Sequence, residues 1–446
     1  YFSDIEWLNV KDFFESTETM SDKYPDLGGK AVPEYFKKRI RSAAELKRLL
    51  PYREAGYADL GKSLNSEPRA SGACIYIHVP FCNNNCNFCG YYKCLNPDRR
   101  MVDAFTKQVK NDLEYLSVMP WVAQNEFTAV YFGGGTPSFL PPGSFFEILD
   151  LICSNFNLSE NCEISFESTI SDLDGKYFEE LEKSSVNRVS LGIQSFDDVV
   201  RKKNSRISGI DDIRDAIRGL RSAGISNICA DLMYNIKGQT VDSWQADLEM
   251  IKELGLNGTS VYPLIPFPGS PLVVKGEYRE AQPSDEYRYF AMADQALLSI
   301  PDWRCYTPVQ YGHFNTGKAG YVTSQADNSD ILAIGPGAGG RINDVQYLNA
   351  YTVEDYVIPG AFLRNKMKIS SMGLYYRAVE RKLSLFRKTS EYTDSLEEAY
   401  ADDYYFLDFL RKNSFIRYAK NEISLTKTGR YWSVNLASLA IGHNRQ

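Results

Sequence analysis

Histidine is scarce in this chain: 446 residues hold three, at His78, His313 and His443. Few groups are therefore available for any role that needs an imidazole. Basic charge is not in excess either. A formal net charge of −7 and a pI near 5.3 argue against the basic face that phosphate binding requires, so no nucleic-acid partner is expected. No apolar run is long enough to span a bilayer, and the opening residues Tyr1-Phe2-Ser3-Asp4 lack a secretory signal pattern; no membrane partner is expected. A second cysteine pair is missing too. Nine cysteines, three of them crowded between Cys82 and Cys89, are unlike the paired framework of a secreted protein. A reducing cytoplasm is the expected location. What is abundant is apolar material: 43% of the residues are hydrophobic, ample for a large core and for two or three domains, or one barrel with appendages.

Strand and helix signals alternate along the first two thirds. β-rich apolar runs recur at 75–79, 129–132, 163–166, 188–193, 227–233 and 259–262, and amphipathic stretches at 101–116, 145–153, 177–183, 210–223 and 243–254 lie between them. Six strands alternating with helices predict a parallel α/β sheet with right-handed crossovers, and a single run of this length favours a partial barrel. Sites on such sheets gather at the carboxyl ends of the strands.

The first strand ends in a loop that reads Cys82-Asn83-Asn84-Asn85-Cys86-Asn87-Phe88-Cys89. Three thiolates on a four-iron cubane leave one iron open to an outside ligand. From the residues alone, zinc with Cys94 or His78 as fourth ligand, and chance clustering, stay open, although structural zinc usually shows two ligand pairs. The second strand runs into Gly133-Gly134-Gly135-Thr136-Pro137, where consecutive glycines either make a plain tight turn or let the backbone approach a ligand.

Together with these two loops, Tyr76-x-His78-x-Pro80-Phe81-Cys82, Leu191-Gly192-Ile193-Gln194-Ser195-Phe196 and Asp231-Leu232-Met233-Tyr234 resemble the HemN-type branch of the radical S-adenosylmethionine (SAM) superfamily. The likeness runs from about Tyr76 to Pro271 and continues more weakly to Leu436. It implies a partial (β/α)6 radical SAM barrel at 71–272, after an N-terminal helical extension at 1–70. A post-barrel substrate region at 273–385 and a small winged-helix-like HemN-type domain at 386–446 would follow. It also implies a 4Fe-4S cluster on Cys82, Cys86 and Cys89, and two SAM molecules. Tyr76, Phe88, Gly134, Gly135, Thr136, Glu167, Gln194, Arg206 and Asp231 match positions that contact SAM, as do Ile265 and Gly339. Gln194, Arg206 and Asp231, on or after later strands, are expected beside the second SAM more than the first. Read without the resemblance, strand-end acids such as Glu167 and Asp231 are ordinarily helix caps or halves of ion pairs.

Departures within the branch sort its members. The oxygen-independent coproporphyrinogen III oxidase continues its loop Cys-Gly-Cys and carries an amino-terminal Pro-Arg-Tyr-Thr-Ser-Tyr-Pro; here Cys89-Gly90 runs into Tyr91-Tyr92, and that segment is absent. Asn235-Ile236-Lys237 replaces the branch's usual Gly-Leu-Pro. The aromatic loop, the stretch from Val261 to Pro271 and Ile334-Gly335-Pro336-Gly337-Ala338-Gly339-Gly340 are similar to the anaerobic haem-degrading methyltransferases ChuW and HutW (anaerobilin synthase). The resemblance implies methylation and opening of haem or a related tetrapyrrole, with iron release and an electron donor such as a flavodoxin or ferredoxin. A class C methyltransferase on another substrate, the oxidase, and a HemW-like haem chaperone are the alternatives. His313 is the expected imidazole for a substrate's iron, with an ordinary loop histidine as the competing reading.

Overall fold

The computed structural model describes residues 39, 41, 52–69, 72–358, 360, 362–364, 366–372, 386, 390–392, 410–419 and 422–443. Most of the expected 1–70 extension lies outside them, as does the stretch 394–410, which reads as helical in the sequence, up to its last residue.

The six expected strands form as β1 (Ala73–Val79), β2 (Phe127–Gly134), β3 (Leu158–Ser168), β4 (Arg188–Gln194), β5 (Asn227–Tyr234) and β6 (Gly258–Pro263), all parallel neighbours in that order. Helices α1 (Arg99–Ser117), α2 (Pro142–Asn155), α3 (Gly175–Lys183), α4 (Ile210–Ser222) and α5 (Val241–Glu253) follow the first five strands in turn. Local chemistry sets several helix starts. Asp98 accepts from the Met101 amide at 2.8 Å, Asp174 from Tyr177 at 3.0 Å and Thr240 from Ser243 at 3.1 Å, each satisfying a first-turn N–H that has no helical partner.

Period-two alternation gives β1 two different faces. Ile75, Ile77 and Val79 are fully buried on one; Cys74, Tyr76 and His78 lie on the other, where Cys74 and Tyr76 pack among Tyr131 of β2 and Tyr321. Parallel strands buried on both sides read as near-continuous apolar runs, which is why β1 and β2 are legible in the sequence.

The sheet does not stop at the sixth strand. β7 (Trp303–Thr307) and β8 (Gln310–His313) extend it antiparallel beyond β6. On the other side β9 (Ile331–Ile334) pairs parallel with β1 and leads into β10 (Gly339–Ile342), β11 (Val345–Leu348) and β12 (Lys368–Met372). Among the described residues the sheet has thirteen strands, with Tyr52–Glu54 at one edge and β7 at the other. One compact unit thus comprises 51–280 and 295–373. This differs from the division expected at 272, because β8 pairs with β6 and β9 with β1, which put the following segment into the same sheet.

The second unit joins 1–50, 281–294 and 374–446. Its described part has a three-stranded antiparallel sheet, with Glu422–Leu425 between Ser390–Tyr392 and Ile416–Ala419, and helices Lys427–Tyr431 and Ser433–His443. Arg430 grips Asp294 through both carboxylate oxygens at 2.6 and 2.7 Å. Glu286 receives Arg39 at 2.5 Å and Arg41 at 2.6 Å, and the Arg39 guanidinium lies 4.0 Å from the centre of the Tyr431 ring. These buried pairs, hydrogen-bonded on several sides, are of the kind that is costly to break from one partner.

Candidate active site at the barrel mouth

Cys82, Cys86 and Cys89 lie in the loop after β1, at the carboxyl end of the parallel strands, and no cysteine of the chain is in a disulfide. The glycine loop after β2 presses against this one. Gly135 N–H donates to the Val79 carbonyl at 2.7 Å and Thr136 N–H to that of Phe81 at 2.8 Å. A Cβ on Gly135 would stand 2.7 Å from the Phe81 oxygen, and Gly134 has φ 113°, so both positions require glycine. Thr136 Oγ1 then comes within 3.5 Å of Cys82 Sγ.

Arg206 reaches the same loop. Its Nη1 lies 3.4 Å from Cys86 Sγ and its Nη2 donates to the Gly192 carbonyl. It sits with the cysteines rather than apart from them, a neighbour that strand order alone does not reveal. Phe88 is anchored by packing against Val200, Met233, Ile236, Leu264 and Leu272.

Below the loops a polar cluster fills the barrel. Glu167 accepts from the Tyr131 hydroxyl at 2.7 Å, and burial pushes its carboxyl up to about 7. Asp231 accepts from Ser190 at 3.3 Å; burial raises its pKa while Arg188 opposes the rise. Arg188, 2% exposed, has Nε and Nη1 without a hydrogen-bond partner. Burial alone would weaken its hold on the proton, but Cys229, Glu163, Tyr131 and Asp231 around it reverse that. His78 Nδ1 pairs with the Tyr76 hydroxyl at 2.9 Å, its Nε2 is buried without a partner, and burial lowers its pKa to about 4, so the ring is neutral.

Gln194 closes β4 with φ 71°, a left-handed conformation rare outside glycine, where the pairing with β5 slips. The neighbouring turn is braced: Asp247 of α5 accepts from the Ser195 hydroxyl at 2.9 Å and the Phe196 amide at 2.6 Å, and Arg201 donates to the Ile193 carbonyl at 2.6 Å. Ile265 lies in the loop after β6, and Gly339 opens β10 after the loop that continues β9 at the mouth side.

His313 is not brought to this site. It ends β8, which runs antiparallel to β6, and its amide donates to the carbonyl of Asn257, just before β6 begins. That is the amino-terminal floor of the barrel, opposite the cysteine loop. Its Nδ1 faces Thr316 Oγ1 at 3.3 Å, as in the loop-histidine reading, so the expectation of a substrate ligand there is corrected. Conversely, Tyr131, Tyr321, Arg188 and Asp247 belong to the site or brace it without a sequence motif to announce them. Alternation along β2 and β4 was the one available signal, placing Tyr131 and Arg188 on the faces of Gly133 and Gln194.

The donor set fits an iron-sulfur cluster. Burial pushes the Cys82 thiol up to about 11, the Thr136 hydrogen bond opposes this, and Cys89 and Cys86 raise it further, so both lie within electrostatic range of Cys82. Among the described residues no three His, Cys, Asp or Glu side chains converge on a single ion. A cubane asks for something different, since each thiolate takes its own iron.

Residues 76–251 match the family model described as the radical SAM superfamily. Residues 76–251 thus carry a radical SAM domain. It is 30% identical over 288 residues to the anaerobilin synthase of Escherichia coli, covering 63% of this chain and 64% of that protein. The matched part thus spans just under two thirds of that relative. It is also 27% identical over 293 residues to the haem chaperone HemW of Lactococcus lactis, covering 63% of this chain and 73% of that one. The solved structure of coproporphyrinogen III oxidase (HemN) from Escherichia coli superposes with a TM-score of 0.72 at 17% identity, covering 91% of this chain and 99% of that one; at that identity the likeness concerns the fold. For the radical SAM domain, this family's cofactors are a 4Fe-4S cluster and SAM.

Proposed function

We propose that this protein is a radical SAM C-methyltransferase that methylates and opens haem without oxygen, releasing iron and leaving a linear tetrapyrrole. One observation carries the reading: at the barrel mouth, the three-cysteine loop meets the glycine loop through Cys82 and Thr136, and meets Arg206 through Cys86. The 30% identity to an anaerobilin synthase supplies the substrate class. Cys82, Cys86 and Cys89 hold the cluster, which together with SAM supplies radical chemistry when bound. The chain's own residues do the rest. Gly134 and Gly135 would offer bare backbone to one SAM, with Thr136, Tyr76 and Phe88 as further partners. Glu167, Gln194, Arg206 and Asp231, with Ile265 and Gly339, offer hydrogen-bonding and packing partners for the two SAM molecules; Arg206 bridges the groups because it also touches Cys86. Neutral His78 fixes the Tyr76 hydroxyl, and the buried surroundings exclude water from reactive groups. A flavodoxin- or ferredoxin-like donor provides electrons in a cytoplasmic setting. No helix among the described residues is long and apolar enough to cross a membrane.

The test is anaerobic incubation of cluster-loaded protein with SAM, a reductant and haem. The Soret band should bleach, iron should be released, and mass spectrometry should find a methylated linear tetrapyrrole, while coproporphyrinogen III keeps its carboxyl groups. Haem binding without SAM turnover would move the assignment to a HemW-like carrier; decarboxylation of coproporphyrinogen III with an intact Soret band would move it to the oxidase.

A further inference from the structure

An aromatic ring left open beside a reactive site offers a flat apolar face on which a planar ligand can stack. Tyr91, two residues beyond the last thiol, is 63% exposed, and Tyr262, near the mouth end of β6, is 36% exposed. Both belong to the site by proximity. Tyr91 is within electrostatic range of Cys89 and Glu167, and Tyr262 of Asp231, Tyr91 and Glu167.

The Tyr91 ring is held in place from beneath. Phe267, in the loop after β6, packs with its ring centre 5.3 Å from that of Tyr91 and its plane tilted by 49°. Gly90 is what permits this: a Cβ there would overlap the Phe267 side chain. The two loops meet through a glycine backbone and an aromatic ring, and the Phe267 amide is tied to the Ile265 carbonyl at 2.9 Å. The result is a two-ring corner within electrostatic range of Cys89 and Glu167.

We infer that Tyr91, Phe267 and Tyr262 form the platform on which the substrate stacks, and that this platform selects a planar, fully conjugated tetrapyrrole over a porphyrinogen; the inference rests on the function proposed above. The chemistry of selection is geometric. A conjugated macrocycle is a rigid disc that can cover an aromatic face, whereas the four sp³ bridges of a porphyrinogen fold it away from any flat wall. The platform also gives the macrocycle a hold independent of an axial ligand, which suits a site from which His313 is absent.

Anaerobic cluster-loaded protein with SAM is titrated with haem, following the Soret band, and with SAM alone in parallel. Tyr91→Ala and Phe267→Ala should each raise the Kd for haem about tenfold, more than they raise the Kd for SAM. Tyr91→Phe, which keeps the ring, should stay within about twofold of wild type, and Val118→Ala, on the exposed end of α1, should match wild type. In competition, coproporphyrinogen III should displace haem poorly from wild type. Equal losses of SAM and haem affinity in Tyr91→Ala would assign the ring to SAM and overturn the platform. Unchanged haem binding in Tyr91→Ala and Phe267→Ala would overturn it while leaving the haem reading standing. A wild type that binds no haem would instead remove the reading beneath it.

Discussion

At the residue scale the sharpest consequence concerns which sulfurs matter. Changing Cys82, Cys86 or Cys89 to Ala should abolish the iron-sulfur absorbance of anaerobically reconstituted protein. Cys94 is the control that discriminates, because it lies nearby, in a two-residue strand paired with Phe81–Cys82, yet its Sγ is turned to Met101 Sδ at 3.5 Å. Cys94→Ala should keep the absorbance, and a loss as complete as that of Cys86→Ala would end the three-thiolate assignment. Arg206 calls for a second measurement. Because it touches Cys86 and the Gly192 carbonyl, Arg206→Ala removes a charge-assisted contact worth about 1.5–3 kcal/mol. The expected outcome is weaker SAM binding and slower methyl transfer, accompanied by a shift in the cluster's reduction potential that Arg206→Lys partly restores. An unchanged potential in Arg206→Ala would mean the guanidinium serves only SAM. The cysteine loop stands out by its spacing, whereas the Arg206 contact does not: it joins residues 120 positions apart, and no local pattern encodes it.

At the scale of elements, the six parallel strands and five helices were readable because strands buried on both faces are continuous apolar runs and the helices carry apolar stripes. The strands after 272 were missed for a physical reason. β8 and β9 are four residues each, too short to show periodicity, and their place depends on pairing with β6 and β1. The helix Gly320–Ala326, α6, was equally hidden. Its first amides donate to Glu163, at 2.6 Å from Gly320, and its Tyr321 ring stacks on Tyr131 at 4.5 Å and on Tyr76 at 5.5 Å. A helix outside the six-strand repeat therefore buttresses the face that presents Tyr76 and Glu167. Tyr321→Ala should cost about 3 kcal/mol by leaving a cavity and should loosen Tyr76, raising the KM for SAM. Tyr321→Phe, which keeps the stack and loses only the Gln325 hydrogen bond, should restore most of both. Thermal melts and SAM-cleavage kinetics on the two variants separate the roles, and equal damage from both would show that the hydroxyl, not the stack, is what counts.

At the scale of the whole barrel unit, stability rests partly on buried acids whose partners come from distant parts of the chain. Asp112 of α1 is 0% exposed, receives the Tyr356 hydroxyl at 2.5 Å and the Gln108 amide at 2.9 Å, and burial pushes its carboxyl up to about 7 despite both bonds. Tyr356 ends the short helix Val353–Tyr356, so this contact ties the first barrel helix to the segment after β11. Sequence reasoning placed Asp112 on a helix but had no means of seeing its partner, 244 residues away. The sign of its pH dependence follows from linkage. In the unfolded chain the group titrates near its ordinary value of 3.8, in the folded protein near 7, so between those values the native state binds more protons. Stability contributed by this group is therefore complete at low pH and is lost as pH rises through about 7. Asp112→Asn keeps an acceptor for Tyr356 and abolishes the titration. Relative to wild type the variant should gain on the order of 2 kcal/mol between roughly pH 5 and pH 8, at about 1.4 kcal/mol per unit of pKa difference within that window. Thermal denaturation across that range reads it directly: the melting curves should diverge as pH rises, and parallel curves would mean that Asp112 is ionised in the folded protein throughout.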